Sequence, residues 1–146
     1  MGWQYVGRAE QLERVRAAFE GGASSPLAII GQRGVGRSTL ALRALEYVDI
    51  RRDLVIRVDP HPSRAPLAAL SHVLPAGFDV ARGWLPTVRT AADHVFRLAG
   101  QRRAVLMVDD AHLLDHITML VLGELAPPRT PRSWRHATSV ATVRRR

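Results

Sequence analysis

A glycine-rich segment follows a short apolar run near the start of this chain and narrows the choice of folds. Its residues are, in order, Gly31, Gln32, Arg33, Gly34, Val35, Gly36, Arg37, Ser38 and Thr39. They match the phosphate-binding pattern G-x-x-x-x-G-K-[S/T] everywhere except at the lysine, which is Arg37 here. Glycines let successive backbone N–H groups turn toward a phosphate, and the hydroxyl of Ser38 suits Mg²⁺. This segment predicts a strand, a tight turn and a helix.

Arg37 leaves the chemistry of the loop open. Arginine keeps the positive charge of lysine but replaces a compact ammonium with a wide planar fork. All 21 basic residues of the chain are arginine, so coding bias toward arginine could also explain the exchange. We therefore expect a nucleotide to bind, and we leave open whether the chain hydrolyses it.

Composition excludes several classes of protein. With no cysteine, the chain has no disulfide, no thiol nucleophile and no cysteine-based zinc site. No apolar run approaches the roughly 20 residues that a membrane span needs, and no secretory signal core is visible. These features predict a cytoplasmic protein without membrane contact.

Charge divides the chain unevenly. Residues 126–146 carry six arginines and no acid, whereas the first 125 residues are nearly neutral, within a net charge of +8. We expect a core over 1–125, an irregular basic loop over 126–136, and a strand with an arginine tail over 137–146. Weak, non-specific nucleic-acid binding by the tail is one possible consequence.

Strand and helix patterns alternate along the chain. Short apolar runs predict strands at 27–30, 54–59, 104–108 and 137–143, and periodic apolar positions predict helices at 9–20, 37–48, 66–74, 87–99 and 111–125. Alternation of this kind is typical of a three-layer α/β fold with a parallel sheet.

Two carboxylates follow the most apolar of these strands. Asp109 and Asp110 come directly after the run 104–108, as in a Walker B motif. Because ligands of open α/β sheets bind where strands end, Asp109 is placed to hold Mg²⁺ and Asp110 to polarise a water. Alternatively, Asp110 could simply cap a helix that begins at Ala111.

The residues now resemble a known family. The segments 5–10 (YVGRAE), 31–39 and 108–115 (VDDAHLLD) look like the ATPase module of large LuxR-type bacterial regulators, of the AAA+/STAND group of P-loop NTPases. The resemblance implies that Val6, Gly7 and Arg8 lie near the adenine, and that Asp109 serves Mg²⁺ and Asp110 catalysis. It also implies that Arg144, after the strand 137–143, is a sensor arginine that reads the γ-phosphate.

The same resemblance implies that parts of the module are absent. The chain stops at the sensor strand, so the last core strand, the lid and the DNA-binding region would be missing, as in a truncated regulator. The strand 27–30 would then be an exposed sheet edge, open to self-association or to a protein partner. Two alternatives to an ATP-binding regulator fragment stay open: a catalytically inactive nucleotide-binding interaction module, and a small basic nucleic-acid-binding protein.

Overall fold

A computed structural model describes residues 9–20, 27–29, 36–63, 65–80, 83–126 and 138–143. Helices and strands alternate along them, and the bounds are α1 (Ala9–Glu20), β1 (Leu27–Ile29), α2 (Arg37–Ala44), β2 (Asp53–Val58), α3 (Trp84–Ala99), β3 (Arg103–Val108), α4 (His116–Leu125) and β4 (Thr138–Val143). The alternation confirms the predicted α/β class. Among these helices, none is both long and apolar enough to cross a bilayer.

The four strands form one sheet in the order β1-β4-β3-β2. All six residues of β3 are buried, as its unbroken apolar sequence predicts for a strand covered on both faces. Successive β3 side chains pack on opposite faces of the sheet. Leu106 packs in a core with α3 and α4, whereas Val105 and Met107 pack with α1 and α2. The described residues therefore form helix, sheet and helix layers.

The direction of β4 corrects the prediction of a parallel sheet. β2 runs parallel to β3, but β4 is antiparallel to both β3 and β1. β4 lies between β1 and β3 in the sheet. Its reversed direction means that β4 begins where β3 ends, since Ser139 pairs with Val108 and Val143 with Ala104.

Helix boundaries differ from prediction where the backbone turns sharply. The predicted helix 111–125 is divided into a 3-10 turn at Ala111–Leu113 and α4, with an extended Leu114 between them. The predicted helix 66–74 contains only a 3-10 turn at Ala68–Leu70, after Leu67 with φ 62°. Neither the left-handed backbone of Leu67 nor the extended backbone of Leu114 can continue an α-helix, so each segment breaks at that residue.

A buried ion pair joins three elements at the end of the sheet where β2 and β3 begin. Arg103 donates from Nε to Asp53 Oδ1 at 2.7 Å and from Nη2 to Oδ2 at 3.0 Å. It also donates from Nη1 to the carbonyl of Phe19 at 3.1 Å, and its guanidinium lies 5.6 Å from the centre of that ring. The pair thus holds the end of α1 against the first residues of β2 and β3.

Candidate active site

Three parallel strands end at one edge of the sheet, here called the carboxyl edge. Ile29 and Val108 pair with Thr138 and Ser139, which are neighbours on β4. At a spacing of about 4.8 Å between strands, the ends of β1 and β3 lie about 10 Å apart across β4. The N–H of Asp109 donates to the carbonyl of Val58 at 3.1 Å and extends the pairing of β2 and β3 by one residue. The glycine-rich segment and the two aspartates therefore leave the sheet at the same edge.

The start of α2 has the backbone geometry that the phosphate-binding pattern predicts. Gly36 has φ 81° and ψ 30°, a left-handed conformation that favours glycine, and its carbonyl accepts the N–H of Leu40 at 3.0 Å. Arg37 is the first helical residue, and Ser38 and Thr39 are exposed in the first turn. Unpaired N–H groups and the helix dipole favour a negative group there.

The two aspartates form a tight turn after β3. The N–H of Asp110 donates to Oδ1 of Asp109 at 2.9 Å, and the carbonyl of Asp110 accepts the N–H of Leu113 at 2.8 Å. Asp110 itself has φ 42° and ψ 49°. This left-handed conformation is uncommon outside glycine, although aspartate and asparagine tolerate it better than other residues do. Hydrogen bonds on both sides thus fix where the Asp110 side chain begins.

One ion pair connects α2 to this turn. Nη2 of Arg37 lies 3.8 Å from Oδ1 of Asp110, with the arginine side chain 14% and the aspartate 39% exposed. The contact brings together the residue at the lysine position of the phosphate-binding pattern and the second acid of the Walker B pattern.

Residues 22–133 match the sequence model of a family described as AAA domain. The chain belongs to the AAA domain family. The matched range includes the segment 31–39 and both aspartates, and the family assigns the α/β fold of P-loop NTPases to this chain. Comparisons with curated proteins and with solved structures find no match.

Several predicted site residues of the AAA domain lie outside the part of the chain that the structure describes: Val6, Gly7, Arg8, Gly31, Gln32, Arg33, Gly34, Val35 and Arg144. Gly36, Arg37, Ser38, Thr39, Asp109 and Asp110 are described, and all belong to the carboxyl edge or to the start of α2.

The sensor role predicted for Arg144 stays a prediction, because Arg144 lies outside the residues that the structure describes. The strand before it, β4, ends with Val143 opposite Ala104, near the beginning of β3. β4 therefore runs away from the carboxyl edge, because it is antiparallel to its neighbours.

A preformed metal cage is not part of the described AAA domain. Among the residues that the structure describes, no three histidine, aspartate or glutamate side chains gather into a group that could hold a metal ion. Mg²⁺ commonly binds through one or two protein ligands plus substrate phosphates and water. The donor set of Ser38 and Asp109 fits that mode of binding.

Asp115 is a structural residue that the pattern-based assignments missed. It caps α4, because its Oδ1 accepts the N–H of Thr118 at 2.9 Å and its Oδ2 accepts the hydroxyl of Thr118 at 2.5 Å. The same Oδ1 accepts the N–H of Leu67 at 3.3 Å and ties the segment after β2 to α4. An aspartate three residues before a threonine was the available signal. The helix cap is Asp115, and Asp110 makes no side-chain capping bond.

A cavity of about 260 Å³ lies beside α3 and contains none of the predicted site residues. Its lining is Pro75, Phe78, Asp79, Pro86, Thr87, Thr90, His94 and Arg97. The carboxyl edge, where the described site residues gather, is therefore the candidate active site.

Proposed function

We propose that this AAA domain binds ATP with Mg²⁺ at the carboxyl edge of its sheet. The observation that supports the proposal most directly is the 3.8 Å approach of Arg37 to Asp110. The start of a phosphate-binding helix and a Walker B acid can act on the same nucleotide only if they lie close together. Here Arg37 and Asp110 are in contact although β4 separates the strands that precede them.

Each residue has a distinct role in this proposal. The backbone of 31–36 and the guanidinium of Arg37 bind the phosphates, with Val6, Gly7 and Arg8 near the adenine. Ser38 and Asp109 would hold Mg²⁺ together with its bound waters, and the ion would withdraw charge from the phosphates. Asp110 accepts a hydrogen bond from the attacking water.

The proposal is tested by calorimetric titration of the chain with ATP, with and without Mg²⁺. Asp109→Asn is expected to remove most of the Mg²⁺-dependent gain in affinity, because an amide oxygen carries no net charge for the ion. Asp59→Asn is the control, since Asp59 follows the neighbouring strand and pairs with Arg57 at 2.7 Å. Absence of ATP binding under both conditions would reject the proposed function, and equal losses in the two variants would reject the role of Asp109.

We also propose that the domain derives from a LuxR-type regulator. The segment 108–115 supports this relation, since VDDAHLLD combines the Walker B acids with the helix cap Asp115. In such regulators ATP acts as a conformational switch, so nucleotide binding rather than rapid turnover would be the useful property. Protease protection that depends on ATP but needs no hydrolysis would support that use.

Two alternatives are separated by simple measurements. A nucleotide-binding interaction module would bind ATP and release no phosphate. A nucleic-acid-binding protein would bind through the arginine tail, which could neutralise about six phosphates. The binding constant should then fall by up to about five powers of ten for each tenfold rise in salt concentration. Substitution of Arg129, Arg132 and Arg135 with serine should then weaken binding to any DNA sequence equally.

A further inference from the structure

Arg37 is paired inside the protein by a group that resembles its expected ligand. A carboxylate and a phosphate both present oxygen atoms to the planar fork of a guanidinium. The Asp110 carboxylate lies 3.8 Å from Nη2 of Arg37, and only 14% of the arginine side chain is exposed. The guanidinium therefore faces the protein, at the start of α2, where a phosphate would be bound.

The carboxylate is held there by its backbone. Asp110 adopts φ 42° and ψ 49°, its N–H is bonded to Asp109 Oδ1, and its carbonyl accepts from Leu113. The adjoining Ala111 is buried at 1% exposure, which anchors the turn in the core. Because the turn is fixed on both sides, Asp110 can leave Arg37 only by rotation of its side chain.

We propose that Asp110 is an internal competitor for the phosphate-binding arginine, so that ATP binds by taking Arg37 from Asp110. This inference rests on the proposed ATP site and specifies how that site is regulated. A phosphate group carries more negative charge than a carboxylate and can take over the guanidinium. The exchange frees the Asp110 carboxylate to accept a hydrogen bond from the attacking water, and it does so only when nucleotide is present. One residue thus lowers affinity in the empty state and becomes available as an acceptor in the bound state.

Removal of the competitor should strengthen binding. Partly exposed ion pairs contribute up to about 1 kcal/mol, which corresponds to about a two- to five-fold change in affinity. Asp110→Asn is the suitable variant because asparagine tolerates the same left-handed backbone and keeps the shape of the side chain. We expect it to lower the Kd for Mg²⁺-ATP by that factor.

Competition for Arg37 has to be distinguished from a second explanation for tighter binding by Asp110→Asn. Asp110→Asn also removes a negative charge near the phosphates, which would favour ATP without any competition. The Arg37→Gln background distinguishes the two effects, since direct repulsion persists there whereas competition for Arg37 does not. Glu124→Gln, at an exposed position on α4, controls for the change in net charge.

The experiment measures Kd for Mg²⁺-ATP, by displacement of a fluorescent nucleotide, in wild type, Asp110→Asn, Arg37→Gln, the double variant and Glu124→Gln. A gain from Asp110→Asn in the wild-type background alone supports competition, and so does binding by Asp110→Asn when wild type binds no nucleotide. An equal gain in both backgrounds, or one no larger than that of Glu124→Gln, overturns it. If neither wild type nor Asp110→Asn binds ATP, the proposed function fails together with this inference.

The ion pair of Arg37 with Asp110 can also be detected by NMR, without a measurement of nucleotide affinity. In a ¹⁵N spectrum, the Nε–Hε signal of Arg37 should shift on Asp110→Asn in the nucleotide-free protein, and the two proteins should give matching Arg37 signals once saturated with ATP. If the Arg37→Gln variants bind too weakly to measure, this comparison decides. An Arg37 signal that is insensitive to Asp110→Asn would overturn the inference.

Discussion

At position 37 a guanidinium stands where the phosphate-binding pattern has an ammonium, and this exchange should limit turnover. The wider fork cannot occupy the position of a lysine without displacing the loop, and a shift of about 1 Å in a catalytic contact can cost on the order of 100-fold in rate. Arg37→Lys is therefore expected to raise phosphate release by about 10- to 100-fold, measured under saturating Mg²⁺-ATP.

Arg43→Lys is the matched control for that measurement. Arg43 lies on the same helix and forms an ion pair with Glu46, away from the helix start. It should leave the rate unchanged. Equal rates for wild type and Arg37→Lys would contradict the idea that the guanidinium is misplaced.

Backbone geometry alone predicts opposite effects on stability when alanine replaces two of the glycines. Gly36 has φ 81°, so Gly36→Ala should destabilise the domain by about 1 kcal/mol even though no atom of the described residues lies within 4 Å of the new methyl group. Gly123 lies within α4 with ordinary helical backbone and equally open space, so Gly123→Ala should stabilise by about 0.5–1 kcal/mol. Urea unfolding measures both. The same sign for both variants would show that backbone conformation is not the controlling factor.

Among the elements, the contact of α1 with β2 and β3 depends on the buried pair of Arg103 and Asp53, whose side chains are 9% and 1% exposed. Removal of one partner leaves an uncompensated charge, so Asp53→Asn or Arg103→Gln should cost about 3–5 kcal/mol. The double variant Asp53→Leu/Arg103→Met should recover much of that loss. Denaturant unfolding measures these free energies.

The exposed pair of Arg14 and Glu10 provides the comparison, since both side chains are 75% exposed. Arg14→Gln should have little measurable effect because water screens such pairs. A comparable loss for Arg14→Gln and Arg103→Gln would show that burial does not determine the strength of these contacts.

The strands show which features of the fold can be predicted from the sequence. β3 was predictable because a strand covered on both faces has to be apolar throughout, and 104–108 is. The direction of β4 was not predictable, because the pattern TSVATV offers similar alternation in either direction. The register of β4 against β3, from Ser139 opposite Val108 to Val143 opposite Ala104, is what shows that the strand runs antiparallel.

The candidate active site, like the sheet, could be predicted only in part from the sequence. The residues 36–39 and 109–110 could be placed at one sheet edge because parallel strands end together. The ion pair of Arg37 with Asp110 depends on a left-handed backbone at Asp110, which no periodicity reveals. The division of the helix 111–125 at the extended residue Leu114 also escaped prediction, since the apolar pattern continues through the 3-10 turn.

For the whole molecule, the sheet order leads to a prediction about association. β1 and β2 are the outermost of the described strands, and exposed edge strands can pair with another chain. The isolated chain is therefore expected to self-associate at micromolar concentrations, measured by size-exclusion chromatography with light scattering. Val55→Lys adds a charge to a half-exposed position of β2 and should weaken association if β2 carries it.

An unchanged result for Val55→Lys would assign the association to β1, as the sequence predicts for 27–30. A monomer at every concentration, with a cooperative unfolding transition, would instead show that neither edge is available for pairing.

The position of β4 between β1 and β3 also constrains the order in which the chain can assemble during synthesis. Within the described sheet, β1 is paired only with β4, and Leu27 meets Val140. Contacts separated by about 110 residues form slowly, because a long loop has to close before they contribute any stability. While the ribosome is still adding β4, β2 and β3 can already pair, but β1 and the phosphate-binding segment that follows it have no strand to join. An affinity for nucleotide should therefore be acquired only after β4 has been made and has paired with β1.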